Sequence, residues 1–402
     1  MRALKYSAIA SLLLLVVVPS GLVGMGCGGD ARGQASPSPS QIAPPVAAAS
    51  PSPTAHPTLD AAARFGAVHA DPLPAFDEGT TWTPRQLIPG SHLFLVFNPP
   101  GYLGCEGCQF PPGDPEKPGR LGLWNIDTGT VDEFRTLQAG DQIPATASDG
   151  RFLVWAEGCD HGIGGGWDLY AMDLATEDWW YVDTDFSTIS GDSWLDRCPG
   201  PTDLAITGGR LVYSTAIANL SGRYLFEVRT HDLSTRSGSI LQLSGGDVPP
   251  IHVGCSACGT SAGGLVAGGF SLTYASDGRV FWFGDAPEAC ANGVSAGIYV
   301  TDLSNGDTKL VVCWGNWKSA LGFLTGSDQG RNPAVSRWED HLQITSGFVF
   351  WVDRPEDVAM AYDRNSGDLI KLSDCSVNLL AADDDAIYWT CGDQLNWVDL
   401  PH

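Results

Sequence analysis

Eleven cysteines stand in the chain, and their spacing offers three chemistries. Cys105-Glu-Gly-Cys108 and Cys255-Ser-Ala-Cys258 are two Cys-x-x-Cys pairs. Four thiolates could hold zinc, and either pair could cycle as a redox couple. A tetrahedral zinc would need two distant loops to meet. A redox pair usually has a helix N-terminus to lower its thiol pKa, and no helix is evident near either pair. Setting aside Cys27, which stands apart near the N-terminus, the other ten are Cys105, Cys108, Cys159, Cys198, Cys255, Cys258, Cys290, Cys313, Cys375 and Cys391. An even set in an exported chain reads first as structural disulfides.

Other arrangements carry less chemistry. Gly259-Thr-Ser261-Ala-Gly263 matches a nucleophile-elbow pattern, but Gly264-Leu-Val-Ala-Gly-Gly-Phe270 after it is a poor helix. Asp183-Thr-Asp185 and Asp383-Asp-Asp385 present oxygen ligands, so calcium is conceivable, although neither has the spacing of a calcium loop and solvated turn acids are the plainer reading. No cofactor is expected. Asp160-His161 is an isolated acid-base pair. Trp194, Trp314 and Trp317 fall outside the strand-like runs, close to Asp196 and Asn316. Flat apolar rings edged by carboxylates and amides suit sugars or peptides.

The elements that would position these residues repeat along the chain. Turns such as Asp149-Gly150-Arg151 and Asp277-Gly278-Arg279 precede apolar runs that reach an aromatic: Phe97, Trp155, Tyr213, Trp282, Trp351 and Trp389. A second run in each repeat ends on an aspartate: Asp127, Asp173, Asp232, Asp302, Asp363 and Asp399. An aspartate there can fold its carboxylate onto the backbone N–H groups of the following turn, and glycine supplies positive φ. A third run follows, such as Trp179-Trp180-Tyr181-Val182. Six such repeats predict an all-β, six-bladed β-propeller. The last repeat lacks its outer strand, so an N-terminal segment must close the ring, and Trp82-Thr-Pro-Arg-Gln-Leu-Ile88 is the expected one.

With strands A to D counted from axis to rim, B–C and D–A loops share one face. All ten cysteines and the longest insertions fall in those loops, as do the three loop tryptophans. Neighbouring cysteines then predict the pairs Cys105–Cys108, Cys159–Cys198, Cys255–Cys258, Cys290–Cys313 and Cys375–Cys391. That face, with Trp194, Asp196, Trp314, Asn316 and Trp317, is the expected contact surface, because loops vary while the strands hold them in place.

Three resemblances follow. Ser148-Asp-Gly-Arg-Phe-Leu-Val-Trp155 with Asp168-Leu-Tyr-Ala-Met-Asp173, and Ser276-Asp-Gly-Arg-Val-Phe-Trp282 with Ile298-Tyr-Val-Thr-Asp302, resemble the WD40-like repeats of TolB-type propellers. Ile387-Tyr-Trp-Thr390 is similar to the YWTD repeat, with Cys391 in place of its aspartate. The resemblance implies an envelope or extracellular setting and a binding role. It transfers no functional residue, since the fold hosts unrelated activities. At the N-terminus, Arg2 and Lys5, an apolar stretch from Ala8 to Val18 and then Gly26-Cys27 resemble the signal and lipobox of bacterial lipoproteins, with Gly24 where leucine is usual. The resemblance implies cleavage after residue 26 and lipid attachment at Cys27.

The domain plan is a signal peptide over 1–26, a Pro/Ser/Ala-rich tether over 27–79 and a propeller over 80–402. Ser36-Pro37-Ser38-Pro39 and Pro51-Ser52-Pro53 are too rich in proline to pack a core, and they form a semi-rigid stalk. Lys+Arg 22 against Asp+Glu 46 gives a net charge of −24, which repels phosphate backbones and excludes nucleic acid as a main partner. The expected protein is a monomeric, exported, lipid-anchored propeller that binds a protein or glycan. The competing expectation is an extracytoplasmic glycan hydrolase or lyase acting on the long-loop face.

Overall fold

The structure is a computed structural model. It describes residues 58–76, 80–101, 114, 116–158, 167–184, 204–219, 224–241, 271–276, 278–285, 296–313, 343–353 and 357–401. They form six sheets in a ring, antiparallel except for one added strand in blade 5. Blade 1 comprises Thr83–Ile88, Leu93–Asn98, Arg120–Asn125 and Thr130–Thr136 as strands A to D. Blade 2 comprises Thr146–Ser148, Phe152–Gly158, Trp167–Asp173 and Asp178–Thr184. Blade 3 comprises Leu204–Thr207, Arg210–Asn219, Tyr224–Asp232 and Ser237–Ile240. Blade 4 comprises Ser271–Ser276, Arg279–Asp285, Ala296–Asp302 and Thr308–Cys313. Blade 5 comprises Gln343–Ile344, Phe348–Asp353, Val358–Asp363 and Leu369–Lys371. Blade 6 has Val377–Ala382, Ala386–Cys391 and Gln394–Asp399, and its fourth strand is His69–Pro72.

Burial explains the strand sequences. Strand B lies between neighbouring blades on both faces, so it reads as a continuous apolar run. All of Phe152–Gly158 is buried. Strand D of blade 1 lies at the rim and is largely polar: Thr130, Asp132, Glu133 and Thr136 are exposed. The core is a series of walls between blades. Leu95, Phe97 and Leu121 of blade 1 meet Leu153, Trp155 and Met172 of blade 2. Phe152, Val154 and Leu169 meet Ile206, Leu211 and Tyr213 of blade 3. Trp82, Phe94, Val96 and Trp124 meet Leu379, Tyr388 and Leu395 of blade 6, which closes the ring.

The closing segment differs from the one expected. Thr83–Ile88 is the innermost strand of blade 1, and Trp82 is buried in the wall with blade 6. Pro84 is tolerated because the innermost strand is also an edge, and the register shifts there between Pro84 and Gln86. The outer strand of blade 6 is instead His69–Pro72, paired antiparallel from His69 with Trp397 to Pro72 with Gln394. Residues expected at the end of the tether are thus part of the ring. Upstream, Leu59–Asp60 adds a parallel fifth strand to blade 5 against Ile370 and Lys371, followed by the short helix α1 (Ala61–Phe65). Arg64 of α1 reaches the fully buried carboxylate of Asp363.

The turn chemistry is as expected in four blades. Asp173, Asp232, Asp302 and Asp363 each accept a backbone N–H from the turn that follows, at 2.8–3.0 Å. In blade 1 the role falls to Asn125, whose Oδ1 accepts from Thr128, while Asp127 bonds His92.

Candidate functional site

Most residues singled out from sequence lie outside the described residues: Trp194, Asp196, Trp314, Asn316 and Trp317, together with Cys27, Cys105, Cys108, Cys159, Cys198, Cys255, Cys258 and Cys290. Cys313 ends the outer strand of blade 4. Cys375 and Cys391 are disulfide-bonded, as the neighbour pairing predicts, with Cα atoms 5.8 Å apart. The bridge ties the connection entering blade 6 to the end of that blade's strand B, on the B–C and D–A face.

The opposite face is a ring of A–B turns stitched across the blades. Gly90 of blade 1 donates its N–H to Asp383 of blade 6 at 3.0 Å, and Ser346 of blade 5 donates to Asp384 at 2.9 Å. Gly209 of blade 3 donates to Asp149 of blade 2 at 3.0 Å. Gly278 of blade 4 donates to Thr207 at 3.2 Å. Gly150 lies so close to blade 1 that a Cβ there would stand 2.5 Å from the Pro89 carbonyl oxygen. Asp383 Oδ1 also accepts from the N–H groups of Asp385 and Ala386. These acids therefore hold turns and join blades. Among the described residues no group of three or more His, Cys, Asp or Glu side chains is placed to hold a metal ion.

Three buried or half-buried carboxylates are each matched by arginine. Asp363 has Arg64. Asp183, at the end of blade 2, accepts from Arg229 at 2.6 Å and from the Tyr213 hydroxyl of blade 3. Burial, then the Asp183 carboxylate, pushes the Tyr213 phenol well above its ordinary range. Glu157 is buried between blades 1 and 2, where Arg135 donates to both its oxygens at 2.8 Å and the Trp155 indole donates to Oε1 at 2.7 Å.

The Glu157 group is the root of a surface feature. The Arg135 guanidinium also lies over two rings, 4.7 Å from the centroid of Tyr170 and 4.8 Å from that of Trp179. Trp155 stacks beneath Tyr170 at 5.8 Å. Tyr170 meets Trp179 edge-on at 5.8 Å and Tyr181 edge-on at 5.9 Å. Trp179 and Tyr181 alternate with Trp180 along strand D of blade 2, so the first two face blade 1 while Trp180 packs into the wall with blade 3. Trp179 is 40% exposed and Tyr181 48%, among the four large hydrophobic side chains left exposed in the described residues. Partial burial raises the Tyr181 phenol, and the Asp168 and Asp183 charges add to it while Thr184 opposes. The result is a rigid aromatic rack at the rim, ordered from a buried carboxylate upward.

In the sequence, Trp179-Trp180-Tyr181-Val182 reads only as a strand. The signal present was three aromatics in a row on an outer strand, where the blade 1 counterpart carries Asp132 and Glu133.

Comparison with known proteins adds a likeness of shape. No protein-family model matches the chain, and no curated protein matches it. Among solved structures, TolB from Acinetobacter baumannii aligns at 14% identity over 72% of this chain and 63% of its own, with a TM-score of 0.36. BamB from Moraxella catarrhalis aligns at 10% identity over 81% of this chain and 87% of its own, with a TM-score of 0.37. An oligogalacturonate lyase in complex with manganese aligns at 11% identity over 70% of this chain and 72% of its own, with a TM-score of 0.35. The chain thus spans less than two thirds of the TolB chain. The class of protein is set by the strand order and register: a six-bladed β-propeller closed by an N-terminal outer strand.

Proposed function

We propose that this chain is an exported propeller, lipid-anchored through Cys27, that serves as a binding scaffold for an extracytoplasmic protein. The observation that carries the binding role is the aromatic rack: Trp179 and Tyr181 stay exposed although Tyr170, Arg135, Trp155 and Glu157 hold them in order. Rigid aromatics offer large contact area at small entropic cost, and they are enriched at protein interfaces. The Cys375–Cys391 bridge supports an oxidising compartment. The signal-like leader and the Pro/Ser stretch support export and a stalk that carries the ring away from the membrane. The loop-face residues Trp194, Asp196, Trp314, Asn316 and Trp317 supply a second contact region in this reading.

The test is affinity isolation of the full chain from detergent-solubilised envelopes of its own host, alongside the Cys27→Ala variant. The reading expects an exported protein to be recovered in fixed proportion, and Cys27→Ala to leave the membrane fraction. Recovery of the chain alone, together with hydrolysis or lyase activity on envelope glycan, would overturn it in favour of the enzyme.

A further inference from the structure

We infer that the outer strand of blade 2, Asp178–Thr184, is a docking edge that takes an extended, cationic segment of a partner protein as a fifth strand. The inference rests on the protein-binding reading and adds the surface, the mode of pairing and the chemistry of the partner.

The backbone comes first. Asp178–Thr184 is the last strand of its sheet, paired on one side with Trp167–Asp173. Among the described residues no strand pairs with its other side. Seven residues present roughly 23 Å of ladder, and an open edge is a template for another chain. Folded proteins blunt such edges with short strands, charge, proline or a cover. The rims of blades 1, 3, 5 and 6 are treated in those ways, while blade 4 ends in Thr308–Cys313 with Lys309 as its one charge. Blade 5 is covered by Leu59–Asp60, which shows within this molecule that a blade edge accepts an added strand. Blade 6 ends in His69–Pro72, which carries a proline. Blade 3 ends in four residues. Blade 1 carries Asp132, Glu133 and Arg135. Blade 2 has Asp178 and Asp183 near its ends and a register shift between Tyr181 and Asp183, but its centre leaves Trp179 and Tyr181 exposed.

Charge narrows the occupant. Among the described residues, each arginine around the strand already has its own carboxylate: Arg135 with Glu157, Arg229 with Asp183, Arg236 with Asp178, Arg151 with Asp173 and Arg120 with Glu133. Asp132, Asp168 and Glu177 are then in excess, on a chain of net charge −24. A segment with Lys or Arg flanking a β-branched centre fits both features, because its cations meet the surplus acids and the faces of Trp179 and Tyr181.

The probe is a labelled ten-residue peptide of alternating Val and Thr flanked by Lys, titrated by fluorescence anisotropy into the full-length protein in detergent. Binding is expected, with amide exchange slowed at 178–184. N-methylation of alternate peptide residues removes the donors of a ladder and is expected to weaken binding at least about tenfold. Glu in place of the flanking Lys, or the Trp179→Ala/Tyr181→Ala double variant, is expected to weaken it by a similar factor. The melting temperature of the double variant should stay within a few degrees of the parent, since both side chains are substantially exposed. No binding, equal binding by the N-methylated peptide or the double variant, or slowed exchange elsewhere would overturn the inference. An envelope oligosaccharide that binds at Trp179 and Tyr181 without slowing exchange at 178–184 would also overturn it and make the rack a glycan platform. The two readings fail separately. A host partner isolated equally well by the double variant leaves the scaffold reading standing and removes the docking edge.

Discussion

Replacing Arg64 by alanine tests whether the N-terminal segment belongs to the ring. Helix α1 has five residues and no side-chain N-cap bond, so intrinsic propensity cannot hold it. It is held by what it touches: Ala61 is buried, and Arg64 donates to Asp363 Oδ2 from Nε at 3.1 Å and from Nη2 at 2.5 Å. The Asp363 side chain is 0% exposed. Removing one partner of a buried ion pair costs about 3–5 kcal/mol. The cost here is reduced because Arg64 is 32% exposed and Asp363 Oδ1 keeps the N–H groups of Asn365 and Ser366, which leaves about 2–3 kcal/mol. The pH dependence gives an independent check. Burial raises the Asp363 pKa, but the Arg64 bonds and the backbone N–H groups outweigh it and hold the carboxyl below its ordinary value. A depressed carboxylate contributes stability above its unfolded pKa of about 3.9, and that contribution is lost as pH falls through the folded value. Urea unfolding followed by tryptophan fluorescence should show a lower midpoint for Arg64→Ala at pH 7. The gap should narrow as pH falls below about 4. An unchanged midpoint at pH 7, or a gap of the same size at pH 3, would refute the assignment of Arg64 as the clasp on blade 5.

Three further outcomes follow from the walls and turns. Gly150→Ala should cost about 2–4 kcal/mol in thermal melts, since φ is +87° and the new Cβ meets the Pro89 carbonyl, whereas Gly129→Ala, at φ +70° with open space, should cost about 1 kcal/mol. Glu157→Ala strands the Arg135 guanidinium and the Trp155 indole and should destabilise by about 3–5 kcal/mol, with Glu157→Gln milder because the amide oxygen still accepts one of those bonds. Reducing Cys375–Cys391, or replacing both residues by serine, closes off about 3 kcal/mol in the chain-entropy account of a loop with sequence separation 16, and a shift in melting temperature under dithiothreitol reports it.

The ring was legible because its punctuation is chemical. An aspartate at a strand end followed by a Gly-bearing turn recurs, and the buried strand B must be apolar on both faces, so repeats stand out without any contact being known. Blade 1 shows the limit of that signal: Asn125 does the turn chemistry two residues before the expected Asp127, since an amide oxygen accepts the same N–H. The closing strand was misplaced for a physical reason. His69-Ala-Asp-Pro72 sits on an outer edge, where alternation and apolar character are not required, so it reads like the end of a Pro- and Ala-rich tether. Trp82-Thr-Pro-Arg-Gln-Leu-Ile88 is the expected closing strand because it precedes the first full repeat, and it is an edge strand, but on the inner side. The rim site was hidden for another reason. Alternation tells that Trp179 and Tyr181 share a face, but only the packing of blade 1 shows that the Arg135 guanidinium stands over the Trp179 ring.

The proposed role is to hold a protein partner outside the membrane. Photo-crosslinking in the living host tests it most directly, with a photoreactive amino acid at position 181 of the full-length chain and, as control, at the exposed turn position 128. The account expects one discrete protein adduct from position 181, absent from 128, whose second component carries an export signal. No adduct from 181, or the same adducts from both positions, with the chain recovered in the cytoplasmic fraction, would contradict it.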